Sequence, residues 1–568
     1  MKTIETLYKK YETVFEKNIF PILLFLYPLM KIRQGVDVSD STYSLGNYLY
    51  FDKMEGMWVI STYLSNVFGS LLVKLPGGHT LVGMNLYTGL IVSILVLICY
   101  FILKKEWKAY VVFFGEILAV SFCWIPTGIL YNYMTYLLFA IGALLLYIGL
   151  LKEKNSFLFL AGVVLGANVM VRFPNLTQAA LIVVVWYYCF LQKKGKEAFR
   201  KTGICLTGYI IGFAVPFITV LIRYGFSAYI NMMNSLAGIQ EADSSYSALS
   251  MVTSVLKAYM RSFKWIGLIG IGLGLGCALF CIKRDRFKQL KVVIYLGGIA
   301  LLLRFFWGRG MFSFRYYEDY SSMFEWGMVF LYLTLTACIY TIIAKDTEDK
   351  ERIFAAIVLV ILCITPLGSN NYTCQNLNNL FLVAPFTLVI IGKWWKKCNN
   401  VVCSFPIRAM LTALLLMITV QSIGFHSVFV FRDGMRGEKR DTRISGTTTI
   451  NGIYTNAENA KTLTDLISYC NENKLIGQET VFYGDAPGLS FILQMPSAIS
   501  TTWPDLDSYS IADFQKELEE SMPSLIIMRD IEPSTVNAET KLDILNTYLE
   551  ENEYTSIYEN SAYKIMIK

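Results

Sequence analysis

The chain has 568 residues, of which 55% are hydrophobic, with a mean hydropathy of +0.47 and a formal net charge of +7. Soluble domains are roughly 45–50% apolar, so this composition and its long apolar stretches exclude an ordinary soluble protein and predict a polytopic α-helical membrane protein. The charge is divided between two parts. Residues 432–568 hold 12 Lys and Arg against 22 Asp and Glu, whereas residues 1–431 hold 38 basic and 21 acidic residues. The positive total therefore gives no indication of nucleic-acid binding.

The first 431 residues are predicted to be an interfacial helix followed by the membrane domain. Residues 1–18 are polar and amphipathic and precede further apolar stretches, which predicts a cytoplasmic interfacial helix and not a cleaved signal peptide. Hydropathy then predicts about thirteen spans within the membrane domain, 19–431. They are 19–32, 80–103, 109–126, 130–151, 156–171, 175–191, 203–222, 264–282, 291–306, 323–343, 353–367, 377–393 and 406–430.

Lysine and arginine recur in every second connection between these spans. Examples are 104–108, 152–154 and 193–196. Because short basic loops stay in the cytoplasm, this pattern predicts a cytoplasmic N-terminus. An odd number of spans then places the C-terminal part outside. Since the cytoplasmic loops are too short to form a domain, any chemistry is expected on the outer side, where 33–79 is one of the long segments.

Two acidic residues lie a few positions beyond the first predicted span. Asp37 and Asp40 belong to the outer segment 33–79. A carboxylate at the membrane surface can act as a general base on a lipid-borne substrate. The alternative is an ordinary acidic outer loop, because the preference for basic residues applies only to cytoplasmic loops. Both interpretations fit the residues themselves.

Four arginines lie at predicted outer ends of spans, where the sidedness rule does not favour them. The planar guanidinium matches the oxygens of a phosphate, so these residues are candidate ligands of a lipid phosphate or pyrophosphate. The alternative is that they snorkel to the interface or pair with nearby acidic residues such as Glu325. The four candidates are Arg172, Arg304, Arg309 and Arg315.

Residues 432–568 are predicted to form a small extracytoplasmic α/β domain, because helical and strand patterns alternate there. The motif Gly484-Asp485-Ala486-Pro487-Gly488 follows a strand but lacks the glycine spacing of a nucleotide site, which indicates a turn. Two histidines and scattered cysteines give no metal-binding motif. The predicted helices are 456–473, 511–520 and 538–551, and the predicted strands are 479–483, 524–528, 554–558 and 562–567.

The chain resembles the integral-membrane glycosyltransferases of the GT-C superfamily, such as the protein O-mannosyltransferases and the bacterial aminoarabinose transferases. The features that match are a short cytoplasmic start, an acidic outer loop after the first span, about a dozen spans and an outer C-terminal domain. The stretch 160–174, which ends in Arg172-Phe173-Pro174, is similar to a glycine-spaced span of the family. In the family the two acidic residues are adjacent or one residue apart, whereas Asp37 and Asp40 are separated by two. Asp40 is the preferred base because it directly precedes the stretch Ser41-Thr42-Tyr43.

This resemblance implies an inverting transfer of a sugar from a polyprenyl-phosphate donor to a glycan, lipid or protein acceptor at the outer face of a plasma membrane. It implies no nucleotide site and allows a divalent metal. A close alternative is a polysaccharide polymerase or ligase that uses a lipid-pyrophosphate donor. Alternatives from other classes are a transporter or flippase of lipid-linked glycans and a structural subunit. The transporter is less favoured, because no repeat relates the two halves of the chain.

Overall fold

A computed structural model of the chain describes residues 10–53, 57–125, 130–242, 248–282, 287–313, 320–368, 371, 373–433, 438–533 and 535–568. It confirms the predicted fold class, a multi-pass helical protein with a C-terminal α/β region. The count of thirteen spans is not confirmed. Eight of the described helical segments are long and apolar enough to cross a membrane, and two further apolar helices are shorter.

The helical part consists of seventeen α-helices, several of them joined by short π or 3-10 turns. They are α1 (Phe20–Leu26), α2 (Asp40–Leu49), α3 (Met57–Ser61), α4 (Tyr63–Leu72), α5 (Leu81–Leu103), α6 (Ala109–Phe122), α7 (Leu130–Leu151), α8 (Asn155–Val169), α9 (Ile182–Leu191), α10 (Gly195–Ala242), α11 (Ala248–Cys281), α12 (Lys288–Gly308), α13 (Ser321–Ile343), α14 (Asp349–Ile364), α15 (Cys374–Asn378), α16 (Val383–Lys397) and α17 (Ser404–Val428).

Two of these helices extend well beyond their predicted spans. Residues 223–263 were expected to be an outer segment, but most of them continue α10 and α11. A kink at Gly225, with φ of 80°, separates the two halves of α10. Beyond the kink, Met232 packs in a cluster with Phe51 and Tyr63. The helix beyond the kink therefore packs against the segment that follows the first apolar stretch.

The tightest helix pair, α8 with α10, is built on glycines. Gly162 and Gly166 of α8 face α10, and Gly208 and Gly212 of α10 face α8. A Cβ atom on Gly166 would lie 2.0 Å from the carbonyl oxygen of Tyr209, and one on Gly212 would lie 2.0 Å from that of Val163. Each helix thus carries a GxxxG pattern that lets the backbones approach, as in many membrane helix pairs. The glycine-spaced stretch that resembles the family has this packing role.

The C-terminal region is a four-stranded sheet with helices. Its strand order is β3-β4-β6-β5, in which β3 and β4 are parallel and the pairs β4–β6 and β6–β5 are antiparallel. The predicted strands and helices are all present. The elements are β1 (Thr442–Arg443), β2 (Tyr454–Thr455), α18 (Ala457–Glu472), β3 (Thr480–Tyr483), α19 (Leu489–Ile492), α20 (Ile511–Ser521), β4 (Leu525–Arg529), α21 (Val536–Glu551), β5 (Thr555–Glu559) and β6 (Tyr563–Ile567).

The α/β region is docked against the segment that follows α1. The N–H of Gly35 donates to the carbonyl oxygen of Tyr454, and the N–H of Tyr454 donates to that of Arg33, both at 2.7 Å. A buried ion pair between Arg440 and Asp433, with 2.8 Å between Nε and Oδ2, fixes the connection after α17. Arg440 also donates to the carbonyl oxygen of Val430. These contacts join the chain after α17, the first connecting segment and β2.

Candidate functional site

Asp37 caps the start of α2. Its Oδ1 accepts hydrogen bonds from the N–H and the hydroxyl of Ser39, at 2.9 and 2.8 Å, and its Oδ2 accepts one from the N–H of Ser41 at 2.9 Å. The side chain is buried, and its backbone carbonyl accepts from the hydroxyl of Thr42 at 2.5 Å. Burial raises the pKa of Asp37, and the bonds from Ser39 and Ser41 oppose that rise. These contacts engage both carboxylate oxygens in local structure.

Asp40 has a different environment, although it lies less than one helical turn further on. It is the first residue of α2, and its side chain is 36% exposed. Oδ2 of Asp40 lies 3.5 Å from Nη1 of Arg432, which follows α17. The same nitrogen donates to the hydroxyl of Ser39 at 3.0 Å. Asp40 therefore keeps an accessible carboxylate beside a cation that comes from the far end of the helical region.

A third acidic residue completes this cluster. Nη1 of Arg432 donates to Oδ2 of Asp485 at 3.1 Å, so one guanidinium nitrogen is shared by two carboxylates. Asp485 belongs to the turn after β3 and has a left-handed backbone, with φ of 54°. Its N–H donates to Oδ2 of the half-buried Asp505 at 2.7 Å, which holds the turn in place.

The position of this turn follows from the sheet. β3 and β4 are parallel, and Asp485 and Arg529 both lie at their carboxyl ends, where ligands of α/β sheets bind. Gly488, at the end of the turn, donates its N–H to the carbonyl oxygen of Val38 at 2.8 Å. Next to it, the ring of Tyr43 packs on Trp503 with centroids 5.4 Å apart. The carboxyl edge of the sheet thus faces the N-terminus of α2.

Burial and charge set the pKa values of the two carboxylates that share Arg432. Burial raises the pKa of Asp40 to about 6, Arg432 opposes this rise, and Asp37 adds to it. Burial likewise raises the pKa of Asp485 to about 7. Arg432 opposes this rise, and Asp505 adds to it. Near neutral pH, Asp40 is mostly ionised and retains enough basicity to accept a proton, which is the property of an efficient general base.

Arg172 and Arg304, two of the arginines predicted from the sequence, have separate contacts in the structure. Arg172 donates to the carbonyl oxygen of Gly368 at 2.9 Å, and its guanidinium lies 5.5 Å from the centre of the Tyr131 ring. Arg304 lines an apolar cavity of about 300 Å³ with Trp307 and Gln421.

The structure describes one of the remaining two arginines. The guanidinium of Arg309 lies over the ring of Phe305, and Arg315 lies outside the described residues. Within the described ranges, no ion pair links Arg172, Arg304 or Arg309 to Asp40.

Sequence reasoning missed Arg432 and Asp485. The glycine-rich motif around Asp485 was interpreted only as a turn, although it follows a strand of an α/β domain, and that position was a usable signal. Arg432 had a weaker signal, since it is simply the first basic residue after the last span. Nothing in the sequence indicated that the two residues meet.

Carboxylate oxygens, which Asp40 and Asp485 supply, are also the ligands that hard divalent metals prefer. No group of three or more His, Cys, Asp or Glu side chains in the described part of the chain is arranged to hold a metal ion. Asp40 and Asp485 do offer carboxylate oxygens, but Arg432 lies between them and supplies the positive charge. The residues as arranged therefore do not fit a metal.

Fold and site together define a multi-pass membrane protein in which a C-terminal α/β region completes an acidic, arginine-containing site at the start of α2. No protein-family model matches the sequence, and no curated protein matches it either.

Two solved structures are similar to it. ArnT from Cupriavidus metallidurans, bound to undecaprenyl phosphate, has 11% identity and a TM-score of 0.39 over 98% of this chain and 97% of that chain. The oligosaccharyltransferase of Archaeoglobus fulgidus, in complex with Zn and sulfate, has 9% identity and a TM-score of 0.45 over 90% of this chain and 68% of that chain. Likeness of this extent carries no argument about activity.

Proposed function

We propose that the chain is a membrane glycosyltransferase, in accordance with the GT-C resemblance of its sequence. It transfers a sugar from a polyprenyl-phosphate donor to a glycan, lipid or protein acceptor at the outer face of a plasma membrane. The division of the chain is 1–18 as a cytoplasmic interfacial helix, 19–431 as the membrane domain and 432–568 as the outer α/β domain. The observation that supports this function best is the half-exposed Asp40 beside Arg432 at the boundary between the helices and the sheet.

Asp40 is the proposed general base. Its carboxylate takes the proton of the acceptor hydroxyl as that oxygen attacks the anomeric carbon of the donor sugar, and the bond from that carbon to the lipid phosphate breaks with inversion. Asp37, whose oxygens hold Ser39 and Ser41, positions the start of α2 and hence Asp40. It acts through Asp40 and not on the substrate.

The leaving phosphate requires a cation, and Arg432 is the proposed first partner because it already lies beside the base. A guanidinium stabilises the charge that develops on a leaving phosphate. Arg172 is a second candidate, since its planar guanidinium matches the oxygens of a phosphate. Arg304, Arg309 and Arg315 remain candidates for contacts with the lipid phosphate before it reaches the site.

The test is transfer by the purified full-length protein, supplied with labelled polyprenyl-phosphate sugars and a membrane extract as the source of acceptors. Asp40→Asn is expected to lower the rate by at least ~10²-fold with an unchanged unfolding temperature, because a general base contributes about that much. Asp52→Asn is the matched control, since Asp52 lies in the same segment with a side chain that is 82% exposed. It is expected to keep the full rate.

Two results would contradict the proposal. If Asp40→Asn transfers sugar within a few-fold of the wild type, Asp40 is not the base. If the wild type transfers nothing but moves lipid-linked sugar across liposomes, the transporter is the correct class. A protein that accepts only lipid-pyrophosphate donors would instead be the polymerase or ligase.

A further inference from the structure

Three cysteines from two distant parts of the chain meet at the end of α11. Cys277 and Cys281 lie one turn apart on α11, and Cys403 directly precedes α17. Sγ of Cys403 lies 3.7 Å from Sγ of Cys281 and 3.8 Å from the carbonyl oxygen of Cys277. Two sulfurs at this separation are in van der Waals contact, and side-chain rotation brings such a pair to the ~2.05 Å of a disulfide bond.

The packing of the surrounding helices holds these thiols together. The rings of Phe280 on α11 and Phe405 on α17 are stacked, with centroids 5.4 Å apart. Tyr295 of α12 donates its hydroxyl to the carbonyl oxygen of Pro406 at 3.2 Å. Residues close to both cysteines are therefore already in contact, and this packing keeps the two thiols near each other.

The pair is also accessible. Cys281 is exposed and Cys403 is half-buried, whereas Cys99 and Cys338 inside the helical region are buried. Access matters because the rate of disulfide exchange depends on whether the oxidant can reach the thiol.

We propose that Cys281 and Cys403 are a redox-responsive dithiol, which a small-molecule disulfide converts into an intramolecular disulfide. The Cys281 thiolate attacks one sulfur of the oxidant and releases the first thiolate. The Cys403 thiolate then attacks the Sγ of Cys281 and releases the second. The chain loses two electrons and two protons, and the oxidant leaves as two thiols. This site is independent of the proposed glycosyl transfer.

The bond would join the end of α11 to the start of α17, the helix whose other end leads to Arg432. Cys281 immediately precedes the basic connection 283–286, which the charge pattern places in the cytoplasm. Disulfides in a reducing compartment are usually transient and respond to redox conditions. The bond is therefore expected to form under oxidation and to reverse with reductant.

The experiment treats the purified full-length protein with glutathione disulfide and maps disulfide-linked peptides by mass spectrometry. The 281–403 bond is expected to form at least ~10-fold faster than any other pair in the folded protein, as proximity favours the second exchange step, and to open with dithiothreitol. Unfolding in denaturant is expected to abolish this selectivity. Cys281→Ser should prevent the bond, and Cys398→Ser, the matched control, should leave it unchanged.

Three outcomes would overturn the proposal. The first is that both thiols remain reduced, and the second is that Cys281 stops at a mixed disulfide with glutathione. The third is that Cys403 forms a disulfide with Cys277 instead. Elution of the serine variants at the wild-type volume in size-exclusion chromatography shows that they are folded, so loss of the bond in Cys281→Ser cannot be attributed to unfolding.

Discussion

Asp37 and Asp40 show how surroundings give two carboxylates different roles. Burial raises the pKa of both carboxyl groups, and both residues lie at the start of α2. Asp37 accepts three hydrogen bonds from its own segment, whereas Asp40 faces a guanidinium and solvent. A pair of acids in unlike environments is a common arrangement at catalytic sites. The preference for Asp40, made from the sequence for a weaker reason, is therefore retained as a proposal.

The pH dependence of transfer tests the link between Asp40 and Arg432. The base must be ionised, so kcat/KM is expected to fall as the pH decreases through about 6. Arg432 lowers the pKa of Asp40, and its replacement in Arg432→Gln removes that effect. The pKa then rises, and the acidic limb of the profile moves to higher pH.

The measurement is kcat/KM for transfer over a pH series, with Arg443→Gln as the control. Arg443 is an exposed arginine of β1. If kcat/KM falls at the same acidic pH in Arg432→Gln and in the wild type, the ionisation of Asp40 does not determine that fall.

At the scale of elements, the turn after β3 determines whether the sheet meets α2. Gly488 contacts the N-terminus of α2 so closely that a Cβ atom would lie 1.8 Å from Oγ1 of Thr42 and 2.8 Å from the carbonyl oxygen of Val38. Gly488→Ala is expected to destabilise the protein by about 1–3 kcal/mol, because the turn must move away. Hydrogen exchange in 38–49 should become faster.

The control for this variant is Gly392→Ala on α16, where no atom lies within 4 Å of an added Cβ. Unchanged hydrogen exchange at the start of α2 in Gly488→Ala would mean that the turn and the helix are not in close contact.

The α8–α10 pair gives a second prediction at this scale. Gly166→Ala places a Cβ atom 2.0 Å from a backbone oxygen of α10, and a backbone cannot move aside as a flexible side chain does. The free energy of unfolding is expected to fall by about 1–3 kcal/mol. Thermal unfolding in detergent measures this, with Gly203→Ala of α10 as the control, since that position is open. Equal unfolding temperatures of the two variants would contradict the packing role of the glycines.

At the scale of the whole molecule, the proposed function requires the α/β domain and the start of α2 to be on the outer side. Single cysteines placed in a cysteine-free background test this. Lys461→Cys on α18 is expected to react with a membrane-impermeant maleimide in intact cells, whereas Lys196→Cys, in the basic stretch at the start of α10, should react only after permeabilisation. Both lysines are exposed, so access from the correct side is the only variable. The reverse labelling pattern would place the site in the cytoplasm.

Much of the fold could be predicted because the responsible interactions are local. The length of an apolar stretch indicates whether it can be a membrane helix. The alternation of helical and strand patterns predicted every strand of the four-stranded sheet within two residues of its observed bounds. The sequence predicted no helix beyond the spans 203–222 and 264–282, whereas α10 and α11 both continue into 223–263. There the tertiary contact of Met232 with the cluster around Phe51 stabilises a helix. Burial against another element is not visible in a single sequence.

The sequence by itself determined that the chain is a multi-pass membrane protein with an α/β region, and that Asp37 and Asp40 follow the first apolar stretch. Hydropathy and composition suffice for these conclusions, because the conclusions depend only on whether each segment is more stable in lipid or in water. The tertiary structure alone decided which residues share the site. Arg432 lies 392 positions from Asp40, and Asp485 lies 53 positions beyond Arg432, yet one guanidinium nitrogen contacts both carboxylates. Such a contact depends on how the sheet docks on α2, which no local pattern encodes.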